Sequence, residues 1–500
     1  MALPDLIEIV PLDKPVRAEI TVPGSKSITN RALILAALAD GEVTLEGALW
    51  SEDTQIMVEC LQDLGFMVNV APDPDEICNR TITVYGRGGT IPGGGTVENP
   101  LELFVGNAGT AARFLSALVC LGKGVYRLHG VPRMHERPQA ALFQALRELG
   151  YRVDSPNNKL PATIVGRADL LVGQDARQRV PTRNCTVSIE ESSQFASALL
   201  LCAKTGGWKI EVIGENAEES PYVAMTSKMI EVFPKSGGKF QIEPDASSGS
   251  YFIAAMSLEK SAERTSRTEN ECGGFAESFA IKPNVTVKYW PSSGWQVDEH
   301  FVLRYTIIAM HMGWNPFGQE EMRALEQRAE GLMGPNWRAS VDNLQREQLQ
   351  KFGPITMSRL TDLGDSIMTA IVMAPLATYP TKFVDLGRLR VQETERVVAL
   401  RTELNKCGAK VVEEGDTLTV YPSKLHGAEI ETYNDHRMAM CFAILGLKVP
   451  GIKIKNPACV KKTFPNFFQK VAAPPPQGLG ATILDAKTGR KLEIKELFAE

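Results

Sequence analysis

The chain of 500 residues lacks the short motifs that mark common cofactor and metal enzymes. It contains no P-loop, no HExxH pattern and no Gly-x-Ser-x-Gly pattern. The glycine-rich stretch 86–95 is not followed by a helix start, so it lacks the context of a dinucleotide-binding loop. Six histidines without paired spacing argue against a catalytic metal. We therefore expect no metal and no organic cofactor.

Other absences bound the location and the partners of the protein. Nine scattered cysteines without a CxxC pair favour reduced thiols over disulfides or a zinc site. No apolar run is long enough to span a bilayer, and residues 1–15 lack the layout of a signal peptide. A net charge of -5 gives no general attraction for nucleic acid or anionic membranes. We expect a cytoplasmic, monomeric enzyme whose partners are small molecules, with neither nucleic acid nor membrane among them.

The most informative feature that is present is a turn of small polar residues directly before an apolar segment of helical length. Ser, Asn and Asp cap free backbone N–H groups at helix starts. A helix N-terminus also carries partial positive charge and attracts anions. We expect these helix starts to gather around one cleft that holds several anionic groups. The six turns are 24–27, 107–110, 192–194, 245–248, 364–366 and 433–437.

Short β-type runs alternate with the helical segments, which predicts an α/β protein. These runs are 18–22, 42–45, 80–84, 209–212, 286–290 and 417–421. The spacing of the helix starts is uneven, so we expect a degenerate repeat without a fixed period. The stretch 260–341 is the least regular, and we interpret part of it as an insertion over the surface. The prolines at 474–476 break any helix, and residues 479–500 are expected to form an appended tail.

Basic side chains lie close to several of the polar turns. Arg suits bidentate contact with carboxylate or phosphate, while Lys supplies a compact charge or a movable proton. Asp365 and Glu393 lie near these bases in sequence, and acids among cations can perform general acid–base catalysis. Ion pairs with the same bases are the alternative role for both acids, and the sequence leaves it open. The basic residues are Lys26, Arg31, Arg137, Arg396, Arg437 and Lys462.

Five motifs together resemble the signatures of the EPSP synthase (3-phosphoshikimate 1-carboxyvinyltransferase) family. The resemblance covers roughly residues 11–471, and the stretch 260–341 matches poorly. Related UDP-N-acetylglucosamine enolpyruvyl transferases share the fold, but the wording of the motifs is that of the shikimate branch. The motifs are PGSKSITNR (23–31), GNAGT (106–110), RMHERP (133–138), SSQ (192–194) and NDHRMAM (434–440).

The resemblance implies a two-domain enolpyruvyl transferase fold of the α/β class. Each domain consists of three βαβαββ repeats, and the cleft lies between the domains. We place one domain at 23–243, the second at 1–22 together with 244–472, and a C-terminal tail at 473–500. The implied reaction moves the enolpyruvyl group of phosphoenolpyruvate to a hydroxyl of shikimate 3-phosphate or a shikimate-like acceptor, releases phosphate and uses no cofactor.

The resemblance also implies roles for individual residues. The catalytic set is Lys26, Asp365 and Glu393. The phosphoenolpyruvate-binding set is Lys26, Gly109, Arg137, Gln194, Arg396, Arg437 and Lys462. The acceptor-binding set is Ser27, Arg31, Ser192, Ser193, Gln194, Tyr222, Asp365, Arg388 and Gln392.

The seat for the acceptor phosphate departs from the family pattern. A serine position of the family reads Glu219, while its Asn and Lys positions read Arg388 and Gln392. A carboxylate that faces a phosphate dianion in a closed site is repulsive. Either Arg388 restores the cation, or Arg388 pairs with Glu219 and fills the seat. The alternatives to a shikimate 3-phosphate enzyme are therefore a paralogue acting on a non-phosphorylated cyclic acceptor in specialised metabolism, or an inactive ligand-sensing homologue.

Overall fold

The computed structural model describes residues 3–14, 16–167, 184–214, 220–255, 284–311 and 354–499. Helices and strands alternate along these ranges, as the sequence predicts. In the part of the chain that is described, no helix combines the length and the apolar character needed to cross a membrane. The helices are α1 Lys26–Leu38, α2 Glu52–Asp63, α3 Gly109–Leu118, α4 Pro132–Glu136, α5 Ala140–Glu148, α6 Ser193–Gly206, α7 Ser220–Val232, α8 Ala246–Ala255, α9 Phe301–His311, α10 Ile367–Met373, α11 Arg396–Lys406, α12 His436–Gly446 and α13 Phe467–Ala472.

The strands recur in a common arrangement. They are β1 Leu6–Ile9, β2 Ala18–Ile20, β3 Asp40–Leu49, β4 Val68–Pro72, β5 Asn79–Arg87, β6 Leu101–Phe104, β7 Val125–His129, β8 Arg152–Asp154, β9 Ala162–Val165, β10 Asn184–Ser188, β11 Lys209–Ile213, β12 Gly238–Gln241, β13 Val285–Val287, β14 Ile355–Ser358, β15 Thr381–Val384, β16 Lys410–Glu414, β17 Thr417–Tyr421, β18 Glu429–Ile430, β19 Ile452–Lys455 and β20 Ile483–Asp485.

Four of the sheets formed by the described residues have the same internal order. Each has one parallel pair of strands followed by two antiparallel neighbours: β6-β7-β9-β8, β14-β15-β17-β16, β12-β3-β5-β4 and β18-β19-β1-β20. Parallel pairs β10-β11 and β2-β13 form two further sheets. This recurrence is the degenerate repeat that the uneven spacing of the polar turns predicts.

Each of the six polar turns leads into a helix, namely α1, α3, α6, α8, α10 and α12. Side-chain caps form at three of these starts. The Oγ of Ser192 accepts from the N–H of Gln194 at 3.2 Å, and the carboxylates of Asp245 and Asp435 cap α8 and α12 at 2.7 and 2.9 Å. The capping positions of α1, α3 and α10 make no such bond among the described residues. The six predicted helices are therefore confirmed, while their capping is confirmed at three.

The buried apolar residues of the described chain form two separate cores. The first core takes its residues from 28–242, and the second combines 3–22 with 251–499. The two chain segments that pass between the cores lie side by side: the N–H of Ser25 donates to the carbonyl of Glu243, and the N–H of Asp245 to that of Pro23, both at 2.8 Å. This division supports the predicted domain limits at 22/23 and 243/244, which stay a prediction.

The C-terminal segment differs from the expected appended tail. β20 pairs antiparallel with β1 and completes the sheet of the second core. Leu479, Ile483, Leu492 and Leu497 are each at most 2% exposed. β20 thus covers the sheet edge beside β1, and these four apolar side chains belong to the second core. Residues 473–499 are thus part of the second core.

The stretch 260–341 was expected in part as an insertion over the surface, which stays a prediction, and elements of its described part, 284–311, pack into the second core. β13 is shorter than the predicted run 286–290 and pairs with β2. Phe301 and Tyr305 of α9 are fully buried in the second core, because apolar residues recur there at helical spacing. The remainder of the stretch lies outside the described residues.

Candidate active site

One cavity brings the six helix starts together, although they are up to about four hundred residues apart in the chain. Its lining includes residues from the start of each of α1, α3, α6, α8, α10 and α12. It therefore draws on both cores and confirms the central cleft that the repeated turns predict. The predicted site residues in the lining are Lys26, Ser27, Arg31, Ser192, Ser193, Gln194, Tyr222, Asp365, Arg388, Gln392, Glu393, Arg396 and Arg437.

Gly109, Arg137 and Lys462 are not part of this lining but lie close to it. The guanidinium of Arg137 packs against Gly109, where an added Cβ would lie 2.6 Å from Nη2. Its Nη1 donates to the carbonyl of Asn107 at 3.0 Å. Lys462 reaches the lining through Glu393, with Nζ and Oε1 3.2 Å apart. The structure therefore brings the whole predicted set to one place.

The start of α3 holds two guanidiniums with the same charge close together. A Cβ on Gly109 would also lie 2.3 Å from Nη1 of Arg113, so the glycine makes room for both cations. Arg113 is 2% exposed and donates to the Oε1 of Gln194 at 3.2 Å and to the carbonyl of Pro138 at 2.9 Å. Burial, followed by the charge of Arg137, lowers the pKa of Arg113. A bound anion would relieve both effects, since it supplies the opposite charge.

Arg396, the first residue of α11, is held by two carboxylates. Arg396 is 1% exposed, and its Nε and Nη2 donate to the two carboxylate oxygens of Asp435 at 2.7 and 3.2 Å. Nη2 also lies 2.8 Å from Oε2 of Glu393. Although burial alone would raise the pKa of Glu393, Arg396 and Lys462 hold it well below its ordinary value. Glu393 is therefore an ionised carboxylate at neutral pH.

Asp365 occupies a comparable position at the start of α10. Its Oδ1 accepts from Nη2 of Arg359 at 2.8 Å, and its Oδ2 lies 3.3 Å from Nη2 of Arg437. Burial opposes ionisation, but Arg437 and Arg359 outweigh it and lower the pKa of Asp365. Both candidate acid–base carboxylates are thus anionic and are held by guanidiniums. The ion-pair role that the sequence left open is present in the structure for both acids, and it does not exclude a catalytic role.

Lys26 at the start of α1 faces the cavity with a partner of its own. Its Nζ is 3.2 Å from Oδ2 of Asp53, whose side chain is 9% exposed. Asp53 lies in the first turn of α2, where a carboxylate is favoured by the helix dipole. A protonated Lys26 on a fixed carboxylate can donate a proton or hold an anion.

Two of the residues predicted to bind the acceptor, Arg31 and Arg388, are cations with different partners. Arg31, 2% exposed, donates to the hydroxyls of Thr226 and Ser197 at 2.8 and 3.0 Å and to the carbonyl of Tyr222 at 3.4 Å. Nη1 of Arg388 donates to the carbonyl of Glu191 at 3.1 Å. Arg388 therefore lies next to the Ser192–Ser193 turn.

Gln392 and Glu219 are two further positions of the predicted phosphate seat. The Oε1 of Gln392 accepts from Nη1 of Arg396, a residue predicted to bind phosphoenolpyruvate. Glu219 lies outside the described residues, and the predicted pairing of Glu219 with Arg388 therefore stays a prediction.

Several residues of the site were not predicted from the sequence. Asp435 was part of a recognised motif, but its role as the partner of Arg396 was not foreseen. Arg113 could have been recognised from the sequence, because an arginine within the apolar helix α3 is expected to be buried, and buried arginines almost always have a partner. Nothing in the sequence indicated Arg359, which lies in none of the recognised motifs, or Asp298, which lies in the irregular stretch 260–341. Residues 295–298 of that stretch line the cavity.

Comparison with known proteins identifies the family of this chain. The family model described as EPSP synthase (3-phosphoshikimate 1-carboxyvinyltransferase) matches residues 11–236 and 304–471. The chain belongs to the EPSP synthase family. Residues 237–303 lie between the two matched pieces.

Individual relatives agree with this family. A 3-phosphoshikimate 1-carboxyvinyltransferase of Trichormus variabilis is 36% identical over 488 residues, covering 93% of this chain and 98% of the relative. Among solved structures, EPSP synthase of Acinetobacter baumannii has a TM-score of 0.64 at 18% identity, covering 96% of this chain and 99% of its own. The enolpyruvyl transferase NikO of Streptomyces tendae has a TM-score of 0.53 at 14% identity, with 97% and 99% coverage. These structures show the two-domain enolpyruvyl transferase fold.

Proposed function

We propose that the protein transfers the enolpyruvyl group of phosphoenolpyruvate to a hydroxyl of shikimate 3-phosphate and releases phosphate, a step of the shikimate pathway towards aromatic amino acids. The observation that carries this proposal is the pair of ionised carboxylates, Asp365 and Glu393, in one cavity with the guanidiniums of Arg396 and Arg437. A protein that only bound anions would not need two carboxylates among the cations, because each carboxylate repels the ligand.

The geometry supports separate tasks on the phosphoenolpyruvate side. Arg113 near the start of α3, Gln194 at the start of α6, and Arg137, which follows α4 and packs against Gly109, hold the negatively charged donor. Protonation of the enol methylene, attack of the acceptor hydroxyl and loss of phosphate each require a proton transfer, for which Asp365, Glu393 and Lys26 are the candidates. The fixed cations stabilise the charge that develops as phosphate leaves.

Shikimate 3-phosphate is the acceptor that we propose, since Arg388 supplies a cation beside Ser192 and Ser193. The second candidate is a related transferase whose cyclic acceptor carries no phosphate. It is favoured by one observation: Gln392 is engaged by Arg396 and offers no charge to a phosphate. An inactive ligand-sensing role remains the third outcome of the test below.

The test is an assay of phosphate release by the purified full chain with phosphoenolpyruvate and either shikimate 3-phosphate or shikimate. Turnover with the phosphorylated acceptor is expected, and at least about 100-fold lower kcat/KM with shikimate, since a lost charge-assisted contact costs about 1.5–3 kcal/mol and more than one is made. Turnover with shikimate alone would replace this proposal by the second candidate. A lack of turnover with a wide panel of cyclic alcohols would leave the sensing role.

We also propose that the protein acts as a cytoplasmic monomer. The support for the location is that all eight cysteines of the described residues are free and buried, as in a reducing compartment. Light scattering of the purified chain tests the monomer, and a mass near twice 54.7 kDa would contradict it.

A further inference from the structure

Asp298, in the short helical turn Val297–His300, lies under the turn that presents Asp365 to the cavity. Its Oδ1 accepts from the N–H of Ser366 at 2.6 Å. A Cβ added to Gly364 would lie 2.7 Å from its Oδ2, so the carboxylate packs directly against the backbone of that glycine. The residues on both sides of Asp365 thus touch the same carboxylate.

The turn that Asp298 contacts has an unusual backbone. Gly364 has φ 54° and ψ -136°, a conformation that residues with a Cβ rarely adopt. Such a turn persists only where surrounding contacts hold it. Asp298 supplies one such contact next to Asp365, from 68 residues away in the chain.

The segment that carries Asp298 is itself anchored to the chain crossing between the two cores. The carboxylate of Glu243 accepts from the N–H and the hydroxyl of Ser293 at 3.2 and 2.9 Å. Gln296 donates to the carbonyl of Pro244 at 2.9 Å and accepts from the N–H of Ala246 at 3.0 Å. Asp298 thus lies two residues beyond Gln296, on a segment that these hydrogen bonds hold in place.

The charge of Asp298 is unfavourable where it lies. It is 9% exposed, and burial, followed by the negative charge of Asp365, raises its pKa to about 6. Arg437 opposes this effect, as does the hydrogen bond from Ser366. Asn at this position could accept the same hydrogen bond without a charge. The contact with Ser366 therefore depends on the acceptor oxygen of residue 298 and not on its charge.

We propose that Asp298 is a positioning residue for Asp365, holding the turn Gly364–Ser366 so that the Asp365 carboxylate faces the reacting hydroxyl. The proposal rests on the proposed function for its kinetic part only. Residues 237–303 lie between the pieces that match the family model, so this role is assigned here from the contacts of the chain itself.

The test compares Asp298→Ala, which removes the contact, with Asp298→Asn, which keeps an acceptor for Ser366. We expect Asp298→Ala to lower kcat at least about tenfold with the KM for phosphoenolpyruvate changed less than about threefold, because the cations that hold the donor are elsewhere. Amide hydrogen exchange at Ser366 should accelerate at least about tenfold, the equivalent of one lost hydrogen bond to a charged group. Asp298→Asn should restore both quantities to within about threefold of the unmodified protein.

Glu299→Gln is the matched control. Glu299 is the next residue on the same turn, is partly exposed, and accepts from the N–H of Gly294 at 3.0 Å, a bond that Gln can also make. It should leave kcat and Ser366 exchange unchanged. Unchanged kcat or unchanged Ser366 exchange in Asp298→Ala, or an equal loss in the Ala and Asn variants, would overturn the proposal. If the unmodified protein turns over no substrate, the proposed function fails, while the exchange measurement still decides whether Asp298 holds the turn.

Discussion

The two sides of the cavity hold their cations in different ways. Among the residues that we propose to bind phosphoenolpyruvate, Arg396 is held by the carboxylates of Asp435 and Glu393. Among those that we propose to bind the acceptor, the contacts of Arg31 and Arg388 include hydrogen bonds to hydroxyl and carbonyl oxygens. A buried ion pair constrains both of its members, because changing either one strands a charge. A hydrogen bond to a hydroxyl or a carbonyl oxygen, by contrast, leaves no charge unpaired when its donor is replaced.

The largest expected effect comes from breaking the ion pair of the phosphoenolpyruvate side with Arg396→Ala. Asp435 is fully buried, and losing its cation should lower the free energy of unfolding by about 3–5 kcal/mol. The kcat/KM for phosphoenolpyruvate should fall by at least about 100-fold, because a cation that faces the developing charge is lost. Urea unfolding and steady-state kinetics measure the two quantities.

Arg401→Ala is the control for this variant. Arg401 lies on the same helix, α11, is 38% exposed at its side chain and pairs with Glu413. Its removal should cost about 0–1 kcal/mol. Similar losses in the two variants would show that the buried pair does not distinguish this side of the cavity.

A smaller and more selective effect is expected for Gly109→Ala. The new Cβ would meet the guanidiniums of Arg113 and Arg137 at less than 3 Å and push them apart. We expect the KM for phosphoenolpyruvate to rise about tenfold, the equivalent of one weakened charge-assisted contact, while the KM for the acceptor stays within about twofold. An equal rise in both KM values would contradict the assignment of Gly109 to one side.

The acceptor side is tested by Arg388→Met, with the smallest expected effect. If Arg388 faces the acceptor phosphate, the KM for shikimate 3-phosphate should rise about fivefold to tenfold, less than for a buried pair because the arginine is only partly buried. The KM for phosphoenolpyruvate should not change. An unchanged KM for shikimate 3-phosphate would indicate that Arg388 instead fills the seat, in favour of a non-phosphorylated acceptor.

Features that depend on neighbouring residues could be predicted from the sequence, whereas features that depend on contacts between distant parts of the chain could not. The helix that begins after Ser192 could be predicted, because its cap and its apolar spacing are local. The strand β20 could not, because nothing in residues 479–500 indicates that β1 leaves a sheet edge for it to cover. Asp298 was missed for the same reason: its neighbours in sequence are irregular, and its partner Ser366 is remote.

The sequence by itself determined the six helix starts, the alternation of strands and helices, and the motifs that place the chain in its family. These features depend on contacts within a few residues or on the wording of short segments. Only the tertiary structure decided which carboxylate holds which cation, that Arg396 pairs with Asp435 across 39 residues, and that Asp298 supports Asp365 across the fold. The physical reason is that a buried charge needs an opposite charge beside it, because water no longer solvates it. Which charges are buried together depends on how the helices and strands pack.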